Sequence, residues 1–398
     1  MAYIGLDLGS TYTKAALLEN GRVIREKRLA SPPRLNGDPD RYEMDAQLYF
    51  EQMLSLLEEF SDSDTQGILI STQMHGWVLT DEAFHPLTPY VSWQDRIGAK
   101  HLSSIARLLA PQDVEPAGVP LKPNLALCSL MGRMMEGFRL RPGTRLCTLG
   151  GYLIGRLTGR HLCHMTNAAP TGLADVRKGG WNLPLVHKSG LDELILPQIV
   201  SNLSPAGTWK GIPVYPDLGD QQVCAAGAEL ETDTCLHVSV GTAGLIGILT
   251  SEWGHGPFEN RPWIQSGCYL RTVSGLPGGR NVAALKDEAA AALSPDIMED
   301  DVWQMMTTLR ADHLPAQANE WPARIESFYQ DMGVRYRQAS DGMERSITRL
   351  SFSGGCAAKN PELRRKLTEA FDSAASSSQD HDVMLGFLAI IAQLEECT

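Results

Sequence analysis

The sequence lacks long apolar runs, basic runs and paired cysteines, and each absence removes a class of protein. No stretch approaches the roughly 20 apolar residues needed to cross a bilayer. The best candidate, Leu385 to Leu394 (LGFLAIIAQL), is about half that length and reads as a buried helix. The chain opens directly into Tyr3-Ile4-Gly5-Leu6-Asp7, without a basic n-region or cleavage-like site. A cytoplasmic location is therefore the expectation, with no membrane partner. The formal net charge is −12 and no basic run offsets it, which argues against nucleic acid or an anionic membrane as a partner. Any polyanionic ligand must then be held by local donors and a metal ion.

Eight cysteines are spread over positions 128, 147, 163, 224, 235, 268, 356 and 397, and none forms a Cys-x-x-Cys pair. A chain of 398 residues needs no disulfide staples, so these read as buried, reduced thiols. There is no Gly-Lys dipeptide, which excludes a P-loop, and no Gly-x-Gly-x-x-Gly, which argues against a Rossmann site or a protein-kinase glycine loop. His161-Leu162-Cys163-His164 does not converge on a metal, because in a strand His161 and Cys163 point one way and His164 the other.

What remains is ordinary globular composition, 43% hydrophobic and 21% charged, over a length that suggests two domains or at most three. The first 30 residues read as strands, with turns at Gly9-Ser10 and Asn20-Gly21, the second a strong hairpin signal. A helix is expected from about Glu43 to Phe60, with Tyr49, Met53, Leu57 and Phe60 on one face. Gly67 to Ser71 reads as a buried strand, Val114 to Pro123 as a loop, Ala126 to Phe138 as helix, and Thr158-Gly159 as a turn into a strand.

A second start lies near residue 236. Leu236 to Leu249 repeats the layout of Tyr3 to Leu18, a strand, a Gly-Thr or Gly-Ser turn and a strand, which suggests a duplicated domain. The boundary is expected near Pro216 to Asp220. Further on come a helix near Arg324 to Arg337, a strand from Ile347 to Ser353, a Gly-Gly turn and a helix from Pro361 to Phe371. Asn360 and Pro361 make a good helix start. Asp382 to Glu395 closes the chain as a helix.

Backbone N–H groups at glycine-rich turns form anion-binding concavities without a P-loop. Two such turns exist, Gly9-Ser10-Thr11 and Gly241-Thr242-Ala243-Gly244, although plain hairpins use the same residue types. Asp7 is a carboxylate inside an apolar strand just before the first turn, either an exposed strand end or the kind of ligand a hydrated Mg²⁺ prefers. Lys14 would reach the same phosphates as a point charge.

These segments carry a specific resemblance. Asp7-Leu8-Gly9-Ser10-Thr11-Tyr12-Thr13-Lys14 resembles the first phosphate motif of the FGGY carbohydrate kinases, within the actin-like ATPase superfamily. Val240-Gly241-Thr242-Ala243-Gly244 resembles the second phosphate motif, and Ser353-Gly354-Gly355-Cys356-Ala357-Ala358-Lys359-Asn360-Pro361 the adenosine motif. Gln73-Met74-His75-Gly76 is similar to the sugar-contacting segment of xylulokinases and sedoheptulokinases. Ser92-Trp93-Gln94-Asp95-Arg96 looks like the family's Trp-x-Asp-x-Arg segment, and Gly219-Asp220-Gln221-Gln222 like the segment with the catalytic Asp. Tyr269 to Arg280 looks closest to the sedoheptulokinase-like branch. The motifs follow the family's order over nearly the whole chain.

Three departures stand out. Ser353-Gly354-Gly355 replaces a triple glycine, Gly151 stands where many relatives place an Asp, and the stretch from Gly244 to Gly354 is short.

The resemblance implies an α/β fold of two ribonuclease-H-like domains with a cleft between them. Residues 1–218 would bind sugar and residues 219–398 nucleotide, with the final helix packing back on the first domain. It implies transfer of the γ-phosphoryl group of ATP to a hydroxyl of a ketose or polyol, with a heptulose or xylulose first in line. Asp220 would be the base, although a helix cap selects the same residue type. Gln73, Met74, His75, Trp93, Asp95, Arg96 and Gln221 would line the sugar pocket; a core histidine and a core aromatic are the plainer roles for His75 and Trp93.

Gly9, Ser10, Thr11, Lys14, Gly241 and Thr242 would cradle phosphate, and Gly278, Gly279, Gly354, Gly355, Lys359 and Asn360 would hold the nucleotide. Asp7 would hold Mg²⁺ through water. A homodimer is the default for a chain of this size. The competing classes are a catalytically impaired sugar-sensing or scaffold relative, and an actin- or chaperone-type ATPase, which leaves Gln73 to Gly76 and Trp93 to Arg96 unexplained.

Overall fold

The computed structural model describes residues 1–35, 37–228, 230, 233–293, 297–371, 375–376 and 383–396. The chain forms two compact units. The first comprises Met1–Ala226 with Arg261–Cys268 and Val383–Thr398, and the second Gly227–Asn260 with Tyr269–Asp382. The division falls after Ala226, where the sequence reading places it at 218 with the final helix packing back on the first domain, and Arg261–Cys268 also joins the first unit.

In the first unit, β1 (Ala2–Leu8), β2 (Tyr12–Glu19) and β3 (Arg22–Ala30) form an antiparallel meander. Asn20 and Gly21 both take positive φ, 51° and 71°, as a two-residue hairpin turn requires. Helix α1 (Ala46–Phe60) then carries the chain to β4 (Thr65–Thr72), which lies parallel to β1. Ile4, Leu6 and Leu8 pack with Tyr49, Met53, Leu57 and Phe60 of α1 in one core.

Helix α1 starts later than its apolar period suggests. Asp45 caps it by accepting from Gln47 N and Leu48 N, so the helix cannot extend back to Glu43. Glu43 and Met44 instead pair antiparallel with Val91 and Tyr90.

Two later elements matter for the site: β5 (Leu218–Gly219), parallel to the end of β4, and helix α2 (Asp220–Ala226), which follows without a break. The closing helix, Val383–Glu396, belongs to this unit, and the backbone of Gly386 passes directly against Val223 O of α2. Asp382, expected to open that helix, lies outside the described residues.

The second unit repeats the scheme. β6 (Cys235–Val240) is antiparallel to β7 (Gly244–Thr250), and β7 to β8 (Tyr269–Leu276). β9 (Arg349–Ser353) runs parallel to β6, as β4 does to β1. Helices α3 (Gly279–Ala292), α4 (Glu299–Thr308), α5 (Trp321–Asp341) and α6 (Pro361–Glu369) contribute Val282, Met305, Ile325, Tyr329, Tyr336 and Leu363 to a core with Val238, Ile246, Ile248 and Phe352. Each unit therefore has a strand that pairs with its hairpin partner on one side and with a later parallel strand on the other. That shared topology is the structural counterpart of the repeat seen in the sequence.

Among the described residues, every cysteine is a free thiol and no helix is long and apolar enough to cross a membrane. Among the described residues, no group of three or more His, Cys, Asp or Glu side chains is placed to hold a metal ion. His161 Nε2 lies 2.9 Å from Leu146 O, and His164 Nδ1 lies 2.9 Å from Thr166 Oγ1.

Candidate active site

The first unit gathers its candidate residues around the junction of β5 and α2. Leu218 and Gly219 pair with Ser71 and Thr72, so Asp220 follows the end of a parallel strand and begins a helix. The Met74 and Gln222 side chains close over Gly219: a Cβ there would lie 2.6 Å from both Met74 Sδ and Gln222 Oε1. The Gly219 N–H donates to Thr166 Oγ1 at 3.0 Å.

Asp220 Oδ1 accepts from Gln221 N at 2.8 Å. Burial pushes the Asp220 carboxyl up to about 6, and Gln221 N and the Arg261 charge pull against that rise. Such a carboxylate is ionised near neutral pH yet more basic than an exposed one, which suits proton acceptance.

Asp217 is a different kind of group. It is fully buried, and it accepts from His164 N at 3.0 Å, Asn167 Nδ2 at 2.8 Å and Thr148 Oγ1 at 3.1 Å. Burial pushes its carboxyl up to about 7. Both oxygens are committed to the fold, so Asp217 ties three segments together.

The Gln73 side chain is also fully engaged. Its Nε2 donates to Tyr49 OH at 2.9 Å and to Gly9 O at 3.4 Å, and its Oε1 accepts from Ser92 Oγ at 3.2 Å. The residue fastens the Gly9 turn to α1 and to the Ser92 segment. Met74 lies against Gly219, and His75 takes a positive φ of 70°, with Nδ1 3.1 Å from Pro170 O.

Asp95 is buried and saturated. It accepts from Tyr42 N, Ile97 N, Ser129 Oγ and Arg133 Nη2, the last at 2.7 Å. Trp93 and Arg96, on either side of it, are exposed. In this segment the two flanking side chains are open to a ligand, while Asp95 orders the loop.

At the first turn, Gly9 N donates to Tyr12 O at 3.0 Å, and Gly9 O accepts from Ser31 Oγ and Tyr49 OH. Asp7 is buried, opposite Lys14 on β2 and beside Ser71 on β4, whose hydroxyl donates to it at 3.3 Å. Ser10 is partly buried, Thr11 is exposed and Lys14 is partly buried. A carboxylate, two hydroxyls, a lysine and a tight turn are thus collected at one strand end.

The second unit brings together three glycine-bearing segments. The Gly279 and Arg280 N–H groups donate to Gly241 O and Thr242 O at 2.7 and 3.1 Å, which clamps the start of α3 onto the β6–β7 turn. Gly354 has φ 91°, and a Cβ there would lie 2.6 Å from Val240 C, so no other residue fits without strain. Gly355 differs, since nothing lies within 4 Å of where its Cβ would be.

Gly278, Gly279, Gly241, Thr242, Gly354 and Gly355 therefore cluster, and the Cβ side of Gly355 faces open space. Lys359 is exposed nearby in sequence. Asn360 is committed elsewhere: its Oδ1 caps α6 at Leu363 N and its Nδ2 donates to Tyr329 OH at 2.7 Å.

Arg261 is absent from the sequence reading. It lies in the strand Glu259–Pro262, all four residues of which are buried, and its Nη1 donates to Gln221 Oε1 forty positions away. Glu259-Asn260-Arg261-Pro262 carries no strand signal in the sequence, so nothing local marks Arg261 as buried.

Comparison with known proteins bears on this arrangement. The profile of the FGGY family of carbohydrate kinases, N-terminal domain, matches residues 2–227. A sedoheptulokinase of Mus musculus is 25% identical over 471 residues, covering 98% of this chain and 97% of that protein. A xylulose kinase of Staphylococcus xylosus is 24% identical over 279 residues, and one of Escherichia coli 28% over 261. Against these two, the match spans about half of the relative's length, 54% and 53%. Among solved structures, a ligand-bound xylulose kinase of Lactobacillus acidophilus has a TM-score of 0.83 at 18% identity, over 99% of this chain and 90% of that one. The fold is accordingly the two-domain α/β fold of the actin-like ATPases. With its N-terminal profile filled over more than half of its length, the chain belongs to the FGGY family of carbohydrate kinases.

Proposed function

We propose that the protein is an ATP-dependent carbohydrate kinase whose acceptor is a ketose or related polyol, of the size of xylulose or sedoheptulose. The observation that carries this reading is Asp220, an ionisable carboxylate raised to about 6 by burial, at the end of a parallel strand and beside Gln221 and Arg261. In the reaction the acceptor hydroxyl passes its proton to Asp220 as its oxygen bonds to the γ-phosphorus, the bond from that phosphorus to the β,γ-bridging oxygen breaks, and ADP leaves.

The sugar sits against Met74, His75, Trp93, Arg96 and Gln221, on a loop framework that Gln73 and Asp95 hold from within. Gly9, Ser10, Thr11, Lys14, Gly241 and Thr242 supply phosphate donors. Gly278, Gly279, Gly354, Gly355 and Lys359 receive the nucleotide, with Asn360 fixing the helix behind them. The donor set at Asp7 fits a hydrated Mg²⁺, which binds through one or two carboxylates and keeps most of its waters. Bound there with ATP, the ion would neutralise phosphate charge.

The test is a coupled assay for ADP release with D-xylulose, D-sedoheptulose, glycerol and aldohexoses, and with no sugar. ADP release that depends on a ketose supports the reading. Release without any sugar would indicate an ATPase, and no release with any of them would indicate a sensor or scaffold.

A further inference from the structure

One buried arginine of the first unit joins segments that are far apart in the sequence. Val91 has a partner on each side: it pairs antiparallel with Glu43 in one ladder, and it exchanges backbone hydrogen bonds of 3.0 and 2.8 Å with Trp77 in the other. Residues opposite one another across a ladder share a face, so the Glu43 and Trp77 side chains stand on the same side. Asp95 follows on the loop that carries Trp93 and Arg96.

Arg133, from the helix Ala126–Met135, reaches all three. Its Nη1 donates to Glu43 Oε1, its Nη2 donates to Asp95 Oδ2 at 2.7 Å, and its guanidinium carbon lies 5.4 Å from the centre of the Trp77 ring. Arg133 is 6% exposed, too little to face a ligand itself. A planar guanidinium serves two carboxylates and an aromatic face at once, which a compact ammonium cannot do.

The segments held in this way are the two that face the acceptor in the kinase reading. Trp77 directly follows Gln73–Gly76, and Asp95 lies between the exposed Trp93 and Arg96. The loop backbone is pinned alongside, with Ser92 N donating to Tyr42 O and Tyr42 N to Asp95. A buried ion triad is a weak source of net stability, because desolvation offsets the attraction. Fixing one arrangement of the chain is the stronger reason to keep it.

We propose that Arg133 is a positioning residue for the sugar site. By joining Glu43, Asp95 and Trp77 it sets the Gln73–Gly76 segment against the Trp93–Arg96 loop, and so the fit of the acceptor. This rests on the kinase reading for the identity of the acceptor, and separates from it in the test. None of the three partners belongs to the phosphate or nucleotide segments, so a change at Arg133 should act on sugar and spare ATP.

The experiment measures kcat, KM for the ketose and KM for ATP in wild type, Arg133→Lys and Arg133→Met. Isothermal titration of D-xylulose and D-sedoheptulose and thermal unfolding run in parallel. Arg133→Lys keeps the charge and loses the fork; Arg133→Met loses both. A displacement of about 1 Å in a positioning group costs up to about 10²-fold, so Arg133→Lys should weaken sugar binding and raise its KM by about 10- to 10²-fold, with KM for ATP within about twofold of wild type. Arg133→Met should lose more, so that lysine is a partial rescue. Arg133→Lys, the milder change, decides the question should Arg133→Met not fold.

Sugar constants unchanged in a folded Arg133→Lys, or a KM for ATP that rises as much as that for sugar, would overturn the proposal and leave the triad a structural tie. Failure of Arg133→Lys to fold would do the same. Ketose-dependent ADP release in wild type keeps the kinase reading standing in each of these cases. Sugar binding that weakens in Arg133→Lys, with no ADP release even in wild type, supports this role and refutes the kinase reading. No sugar bound by wild type and none turned over refutes both.

Discussion

Replacing Arg261 by Gln should move the acid limb of the pH–rate profile. Burial holds the Asp220 carboxyl at about 6, and the Gln221 N–H and the Arg261 charge keep it from rising further. A base must be ionised to act, so kcat/KM is present above that value and falls as pH drops through it, about tenfold per pH unit at the low end. Removing that opposite charge should raise the Asp220 midpoint above its wild-type value.

For each pH unit that the midpoint rises, the ionised fraction at pH 6 drops steeply, and a rise of one unit would take it from about a half to about a tenth, beyond any change in the plateau. The plateau itself should also drop, because Arg261 holds Gln221. The midpoint isolates the charge effect from that packing effect. The assay is kcat/KM for the best ketose between pH 5 and 9, under limiting sugar, where the free enzyme is read. An acid limb at the same pH in wild type and Arg261→Gln would refute the coupling, and with it the assignment of the limb to Asp220.

Other positions give separate expectations. Gly354→Ala should lower stability by about 1–3 kcal/mol, since its φ of 91° and its contact with Val240 leave no room for a side chain. A Cβ at Gly355 meets no protein atom, so the melting temperature of Gly355→Val should hold while KM for ATP rises more than KM for sugar. Asp217, raised to about 7 in the fold, binds its proton more tightly folded than unfolded. Its contribution is thus full below the ordinary carboxyl value near 4 and is lost as pH rises through about 7, on the order of 4 kcal/mol. Urea unfolding at pH 5 and pH 8 should show this decline in wild type and a flatter one in Asp217→Asn. Asn360→Ala should cost about 0.5–2 kcal/mol as a lost helix cap, read by thermal unfolding, with a smaller effect on KM for ATP than Gly355→Val.

The parts of this molecule that are legible in its sequence are those written locally. A strand, a glycine turn and a strand can be read at Tyr3 to Leu18 and again at Leu236 to Leu249, and the two units share the topology built on them. Asn360-Pro361 reads as a helix start and is one. What depends on distant partners is not legible. Glu43 and Met44 read as the first turn of α1, yet Tyr90 and Val91 claim them for a strand.

Asp95 reads as a sugar ligand from its segment, but Tyr42, Ile97, Ser129 and Arg133 occupy its carboxylate, and only the fold brings Tyr42, Ser129 and Arg133 to it. Of the two glycines after Ser353, the sequence cannot say which is constrained; the backbone approach to Val240 singles out Gly354. Arg261 escapes notice because nothing near it in sequence connects it to Gln221.

The most direct measurement is the turnover of Asp220→Asn. The substitution keeps the shape and an oxygen that can accept from Gln221 N, which now lies 2.8 Å from Asp220 Oδ1, but it removes the ability to take a proton. With the best ketose and saturating ATP, kcat should fall by roughly 10²- to 10⁴-fold while the melting temperature stays within a few degrees of wild type. Near-normal turnover in a folded Asp220→Asn enzyme would contradict the account, because it would leave no accessible carboxylate at this strand end to accept the proton: Asp217 is fully buried and committed to three donors.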